Sequence, residues 1–105
     1  MKKWNGRVIA DICVTPLGTP TPSVFSIVAD VERILRRYPL QARLHSYGTN
    51  IEGDWETVSK AIAEIHESVH GSGVERISCN MRWGSRTDKE QTGLDKIEII
   101  EKILL

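Results

Sequence analysis

Two hydrophobic periodicities alternate along this chain, and their order restricts the fold more than any single residue does. From Arg7 to Pro16, Val8, Ala10, Ile12 and Val14 alternate with Ile9, Asp11, Cys13 and Thr15, the period of two that gives a strand one apolar face. Leu17-Gly18-Thr19-Pro20-Thr21-Pro22 breaks the pattern; Thr21 suits an N-cap and Pro22 the first helical position, where its missing N–H is no loss. Val24, Ile27, Val28, Val31, Ile34 and Leu35 then recur at helical spacing, with Asp30, Glu32, Arg33, Arg36 and Arg37 on the far side, until Pro39 stops the helix. Alternation returns over Gln41 to Tyr47. A turn at Gly48 is expected to use the positive φ that glycine adopts readily, with a partner strand over Thr49 to Gly53. Asp54 is placed to cap a second helix whose stripe is Val58, Ala61, Ile62, Ile65 and Val69, ending at Gly71-Ser72-Gly73. Val74 to Trp83 reads as a fourth strand, with Ile77, Cys79 and Met81 on one face and Arg76, Ser78, Asn80 and Arg82 on the other. A polar loop, Gly84 to Thr92, leads to a last amphipathic helix through Leu94, Ile97, Ile100, Ile103 and Leu104.

Strand, helix, strand, strand, helix, strand, helix is the split βαβ order, so the predicted class is α+β: a ferredoxin-like βαββαβ sandwich with an additional C-terminal helix. A length of 105 residues supplies one core, and residues 1–105 are read as a single domain. Both crossover helices fall on one face of the sheet. The other face carries Ile9, Asp11, Cys13, Thr15, Arg43, His45, Tyr47, Arg76, Ser78, Asn80 and Arg82, too polar for a dry core. It is expected to be an oligomer interface with buried polar groups and ligand pockets.

Lys+Arg and Asp+Glu both count 14, so no basic excess draws the chain to nucleic acid. No apolar run approaches the roughly 20 residues that span a bilayer. Met1-Lys2-Lys3-Trp4-Asn5 is not followed by a secretory segment, and a soluble, cytoplasmic protein is expected. Cys13 and Cys79 have no CxxC partner and read as small buried thiols in a reducing compartment. His66 and His70 stand at i, i+4 without a third ligand or an HExxH arrangement, so no metal is expected. No GxSxG, P-loop or GxGxxG is present, and no catalytic residue is assigned.

Binding chemistry concentrates in His45-Ser46-Tyr47-Gly48-Thr49-Asn50-Ile51-Glu52-Gly53-Asp54-Trp55, a hairpin running into a helix start. An organic cation with a heteroaromatic ring needs an anion, a stacking wall and a few hydrogen-bonding groups. Glu52 supplies the first, Tyr47 or Trp55 the second, and the hydroxyls of Thr19, Ser23 and Thr49 the third. Each also has a plain structural explanation: Glu52 as a hairpin charge, Trp55 as a staple onto the core, Thr49 as a β-former, Ser23 as a first-turn residue. Their convergence favours a ligand site.

Four separated motifs carry a resemblance. Ala10-Asp11-Ile12, Pro16-Leu17-Gly18-Thr19, Gly48-Thr49 with Ile51-Glu52-Gly53-Asp54-Trp55, and Arg86-Thr87-Asp88-Lys89-Glu90-Gln91-Thr92 together resemble the small thiamine-binding protein family of archaea, bacteria and fungi. The fungal members are most similar, through Leu44-His45-Ser46 and Gly84-Ser85-Arg86-Thr87-Asp88-Lys89. The resemblance implies a homotetramer, a dimer of dimers joined through uncovered sheet faces and edges. It also implies non-enzymatic cytosolic binding of thiamine or its hydroxymethylpyrimidine moiety, as carrier or sensor, with thiamine as ligand and no other cofactor. It places Leu17, Gly18, Thr19, Gly48, Thr49 and Glu52 at the ligand, with Asp11 at pocket or interface; Arg82 and Lys89 leave a phosphorylated ligand open. Two other classes remain in view. One is a regulatory or oligomerisation module of the same topology without a small molecule, and the other is a dimeric enzyme using His45 as a base.

Overall fold

The structure is a computed structural model and describes residues 3–18 and 24–105. Its elements are β1 (Arg7–Leu17), α1 (Phe25–Arg37), β2 (Gln41–His45), β3 (Gly48–Asp54), α2 (Trp55–Gly71), β4 (Arg76–Gly84) and α3 (Gly93–Leu104). The strands form one sheet in the order β2-β3-β1-β4, every neighbouring pair antiparallel. This is the α+β ferredoxin-like fold with its extra C-terminal helix that the periodicities predict.

Register sorts the side chains. Ala10 lies between Ile51 and Trp83, and Ile12 between Thr49 and Met81, all on the side facing α1 and α2. Ile9 lies between Glu52 and Gly84, and Asp11 between Asn50 and Arg82, on the opposite, open side. Val31, Ile34 and Leu35 of α1 and Val58, Ala61, Ile65 and Val69 of α2 close the core over Val8, Ala10, Ile12 and Ile51. Each large apolar side chain buried this way contributes about 1.5–3 kcal/mol. α1 ends where the sequence says it must, because Tyr38 precedes Pro39 and is driven to extended backbone, φ −94° and ψ 151°.

Four local expectations meet a different outcome or fall outside the description. Glu32, placed by spacing on the solvent side of α1, is only 7% exposed. It stands at the border of the apolar stripe, and its Oε2 accepts a hydrogen bond from the Thr49 hydroxyl at 3.1 Å. Gly48 does not take a positive φ. The glycine answers a steric demand instead, since a Cβ there would stand 2.4 Å from the carbonyl oxygen of Ile12 on the neighbouring strand. Asp54 occupies the N-cap position of α2 but makes no side-chain capping bond; its carboxylate lies 3.8 Å from Arg7, a loose and exposed pair. The proposed cap at Thr21 lies outside the described residues.

α3 has the strongest N-terminus of the three helices. Thr92 Oγ1 accepts from the Asp95 N–H at 3.1 Å and Asp95 Oδ2 accepts from the Thr92 N–H at 2.9 Å, a full capping box. Yet α3 buries none of its residues, and its apolar stripe is open, with Ile103 72% exposed.

The close strand approach at Gly48 is testable. Gly48→Ala should lower unfolding stability by about 1–3 kcal/mol, because the β1–β3 ladder has to part to admit the methyl group. Gly71→Ala, with nothing within 4 Å of the new Cβ, should not. Equal urea midpoints for both variants would contradict the steric account.

Candidate functional site

The open side of the sheet is built around one buried carboxylate. Glu52 projects from β3 and is 5% exposed. Its Oε2 accepts from Arg43 Nη1 of β2 at 3.1 Å, and its Oε1 accepts from the backbone N–H of Gly93, the first residue of α3, at 2.9 Å. Arg43 is steadied in turn by Gln41, whose Oε1 accepts from Nη2 at 3.0 Å. A Cβ at Gly93 would stand 2.7 Å from the Glu52 carboxylate, so the absence of a side chain lets the helix start approach this closely. The carboxylate therefore ties an edge strand, an inner strand and the returning C-terminal helix together.

Beside it, Asp11 Oδ1 stands 2.6 Å from His45 Nε2 and accepts from Asn50 Nδ2 at 3.3 Å. His45 Nδ1 accepts the Tyr47 N–H at 3.2 Å. Because Nδ1 is the acceptor, the neutral ring carries its proton on Nε2 and donates it to Asp11. Both ring nitrogens are thus engaged, and Asp11 orients a histidine that the sequence left without a partner.

Residues 85–92 fold over this floor as a roof. Arg86 donates to both oxygens of Asp88, at 2.7 and 2.5 Å, and to Gln91 Oε1 at 2.6 Å. The guanidinium holds the Asp88 carboxyl down to about 2. Between floor and roof lies a cleft of about 810 Å³, lined by Asp11, Asn50, Glu52 and Arg82 below and Arg86 and Lys89 above.

Of the ligand-binding residues expected from the sequence, this cleft brings together Asp11 and Glu52, and it also gathers Arg82, Arg86 and Lys89. Leu17 and Gly18, the latter with φ +69°, lie at the other end of β1. At about 3.3 Å per residue, that is roughly 26 Å from Ile9, the partner of Glu52. Tyr47 is 87% exposed in the β2–β3 turn, and Gly48 opens β3 beside it. Thr49 points to the helix side, where it is buried against Glu32. Trp55 also lies off the cleft, its ring 4.2 Å from that of Trp83 and edge-on to Trp4 at 6.2 Å, lining a separate hollow with Asp54 and Glu56. Thr19 and Ser23 lie outside the described residues. Both cysteines are free thiols, half-buried where the sequence suggested burial, and the His66–His70 pair has no further metal-binding side chain among the described residues.

Residues of the site that the sequence did not single out are Arg43, Asn50 and Gly93. Arg43 and Asn50 were legible in principle, since both hold outward positions of a hairpin whose register pairs Arg43 with Asn50 and Gln41 with Glu52. Gly93 had no such signal, because periodicity does not say which way a loop returns.

Fold and site together define a ferredoxin-like α+β protein with a polar cleft on the uncovered face of its sheet. Within that class the chain belongs to the thiamine-binding protein family, whose sequence model matches residues 10–101. It is 46% identical over 98 residues to the UPF0045 protein ECM15 of Eremothecium gossypii, covering 93% of each chain. It is also 46% identical over 95 residues to the UPF0045 protein sll0230 of Synechocystis, covering 90% of this chain and 78% of that one. The crystal structure of hypothetical protein MJ1052 from Methanocaldococcus jannaschii superposes with a TM-score of 0.84 at 30% identity, covering 92% of this chain and 98% of that one.

The Glu52 junction yields a direct expectation. In Glu52→Gln one of the two positions facing Arg43 and the Gly93 N–H becomes a donor, so a donor meets a donor and about 1–3 kcal/mol is lost. Amide hydrogen exchange at Gly93 and in the first turn of α3 should accelerate more than in α2. Unchanged protection at Gly93 would show that the carboxylate does not hold the helix start.

Proposed function

We propose that this protein binds thiamine, or its hydroxymethylpyrimidine moiety, without converting it, as a cytoplasmic carrier or sensor. Membership of the thiamine-binding family supports the ligand class. The observation that carries the assignment to a place is the roofed cleft on the open face, with Asp11 in its floor. Glu52 has both oxygens committed, so its part is to hold the cleft's shape, and Asp11 with Asn50 presents the acceptor and donor for an aminopyrimidine. Both His45 nitrogens are engaged and the ring does not line the cleft, which favours binding over catalysis.

The binding unit in this proposal is a homotetramer, a dimer of dimers. If open faces pair about a two-fold axis running across the strands, the Leu17–Gly18 end and Tyr47–Gly48 turn of one copy come over the Glu52 end of the next. In that arrangement they complete the site, while Thr49 and Trp55 serve the helix side. The unpartnered stripe of α3, Ile97, Ile100 and Ile103, supports assembly. The same stripe is what favours the second reading, an oligomerisation module without a small molecule.

Two measurements separate these. Calorimetric titration of thiamine should show binding by the wild type and an affinity about tenfold weaker for Asp11→Asn; no heat up to millimolar thiamine, with the oligomer intact, would leave only the second reading. Light scattering on eluted protein should report a tetramer that Ile97→Asp with Ile100→Asp reduces to smaller species. A wild-type monomer at micromolar concentration would remove the proposed assembly.

A further inference from the structure

The cleft is lined by five cations, Arg7, Arg82, Arg86, Lys89 and Lys96, and four acids, Asp11, Glu52, Asp88 and Glu90. Asp11 is engaged by His45 and Asn50, Glu52 by Arg43 and the Gly93 N–H, and Asp88 by Arg86. Arg82, Lys89 and Lys96 line the same space, and none of them forms an ion pair among the described residues. Arg82 makes the point most sharply. It stands directly across from Asp11 in the β1–β4 register, where cross-strand side chains are neighbours. Even so, Asp11 turns toward β2 and β3, to His45 and Asn50, and leaves the guanidinium unpaired. Lys89 comes from the roof and Lys96 from the first turn of α3, so the three cations converge from different elements. Glu90 is the one acid in the lining that forms neither an ion pair nor a side-chain hydrogen bond among the described residues.

We propose that the ligand of this cleft carries a phosphate ester, held by Arg82, Lys89 and Lys96. The inference rests on the thiamine-type reading above and adds the anionic end of the molecule. A planar guanidinium presents paired N–H donors that match phosphate oxygens, and ammonium groups add point charges from the other side. Covering this surface with a second copy would desolvate Arg82, Lys89 and Lys96, which form no ion pair among the described residues, and the Asp11 and Glu90 carboxylates in the same lining do not match their three charges. A phosphate supplies the missing negative charge, so ligand binding and closure of the cleft reinforce each other. The ring's amine then faces Asp11 and Asn50, and the ester faces the basic side.

Calorimetry on the full chain at about 150 mM salt, with thiamine, thiamine monophosphate and inorganic phosphate as separate probes, tests this. The monophosphate should bind about tenfold more tightly than thiamine, and the advantage should shrink as salt is raised. Arg82→Gln and Lys89→Gln should each lower the ratio of the two affinities, and Arg82→Lys should restore part of it. Lys89 sits on an exposed loop, so its variant reports even where the strand substitution disturbs folding. Equal affinity for thiamine and its monophosphate would overturn the ester assignment while leaving thiamine binding in place. Inorganic phosphate binding as tightly as the monophosphate would overturn it as well, by showing a plain anion site. Binding of none of the three would remove both this inference and the reading beneath it.

Discussion

The open side of this molecule depends on a carboxylate that is almost wholly removed from water and has both oxygens satisfied. A buried charge is unfavourable unless paired and hydrogen-bonded, and Glu52 meets that condition only because two different elements come to it. Arg43 arrives on the neighbouring strand and Gly93 arrives as the start of α3. Since α3 buries no side chain of its own, packing does not hold it over the sheet. The contact at Gly93 and the capping box at Thr92 and Asp95 fix where the helix begins, and with it where the roof of residues 85–92 ends. The junction sets the start of α3 beside the cleft on the open face.

The sheet divides the polar chemistry of the chain between two sides with different tasks. On the helix side Glu32 and Thr49 form a buried pair under α1, and Glu32 Oε1 has no hydrogen-bond partner among the described residues. A buried carboxylate oxygen left without a donor costs about 1–3 kcal/mol. The tryptophans lie on this side as well, with Trp55 at the start of α2 bridging Trp4 and Trp83. On the open side the polar groups are organised in linked sets: Gln41–Arg43–Glu52, His45–Asp11–Asn50 and Asp88–Arg86–Gln91. Networks of this kind gain from mutual orientation and leave few groups free. That makes Arg82, Lys89 and Lys96, which form no ion pair among the described residues, conspicuous beside them.

The fold was legible because hydrophobic burial writes its period into the chain. The apolar positions of β1 and the stripes of α1 and α2 lie where the periodicity predicts, and Val58, Ala61, Ile65 and Val69 are all in the core. The misreadings come from interactions that periodicity does not record. Glu32 looked like a surface residue because its class is polar, although its neighbour in space is Thr49. Gly48 looked like a turn glycine, and its reason is instead the carbonyl of Ile12 on another strand. Within the candidate site, Asp11 and Glu52 share a cleft because they occupy outward positions on adjacent strands. Thr49 and Trp55 were grouped with Glu52 by nearness in sequence, yet Thr49 sits an odd number of residues from it, and strand alternation sends it to the opposite face.

By itself the amino-acid sequence determined the order and type of the elements, the face each strand turns to the core and the family to which the chain belongs. Those properties rest on local spacing and on residue identity. Only the tertiary structure decided that the C-terminal helix begins on Glu52, that Asp11 serves His45 instead of the arginine across from it, and that a roofed cleft results. These outcomes depend on pairings between residues far apart in the chain, where a buried charge takes whichever donors the packing brings within reach.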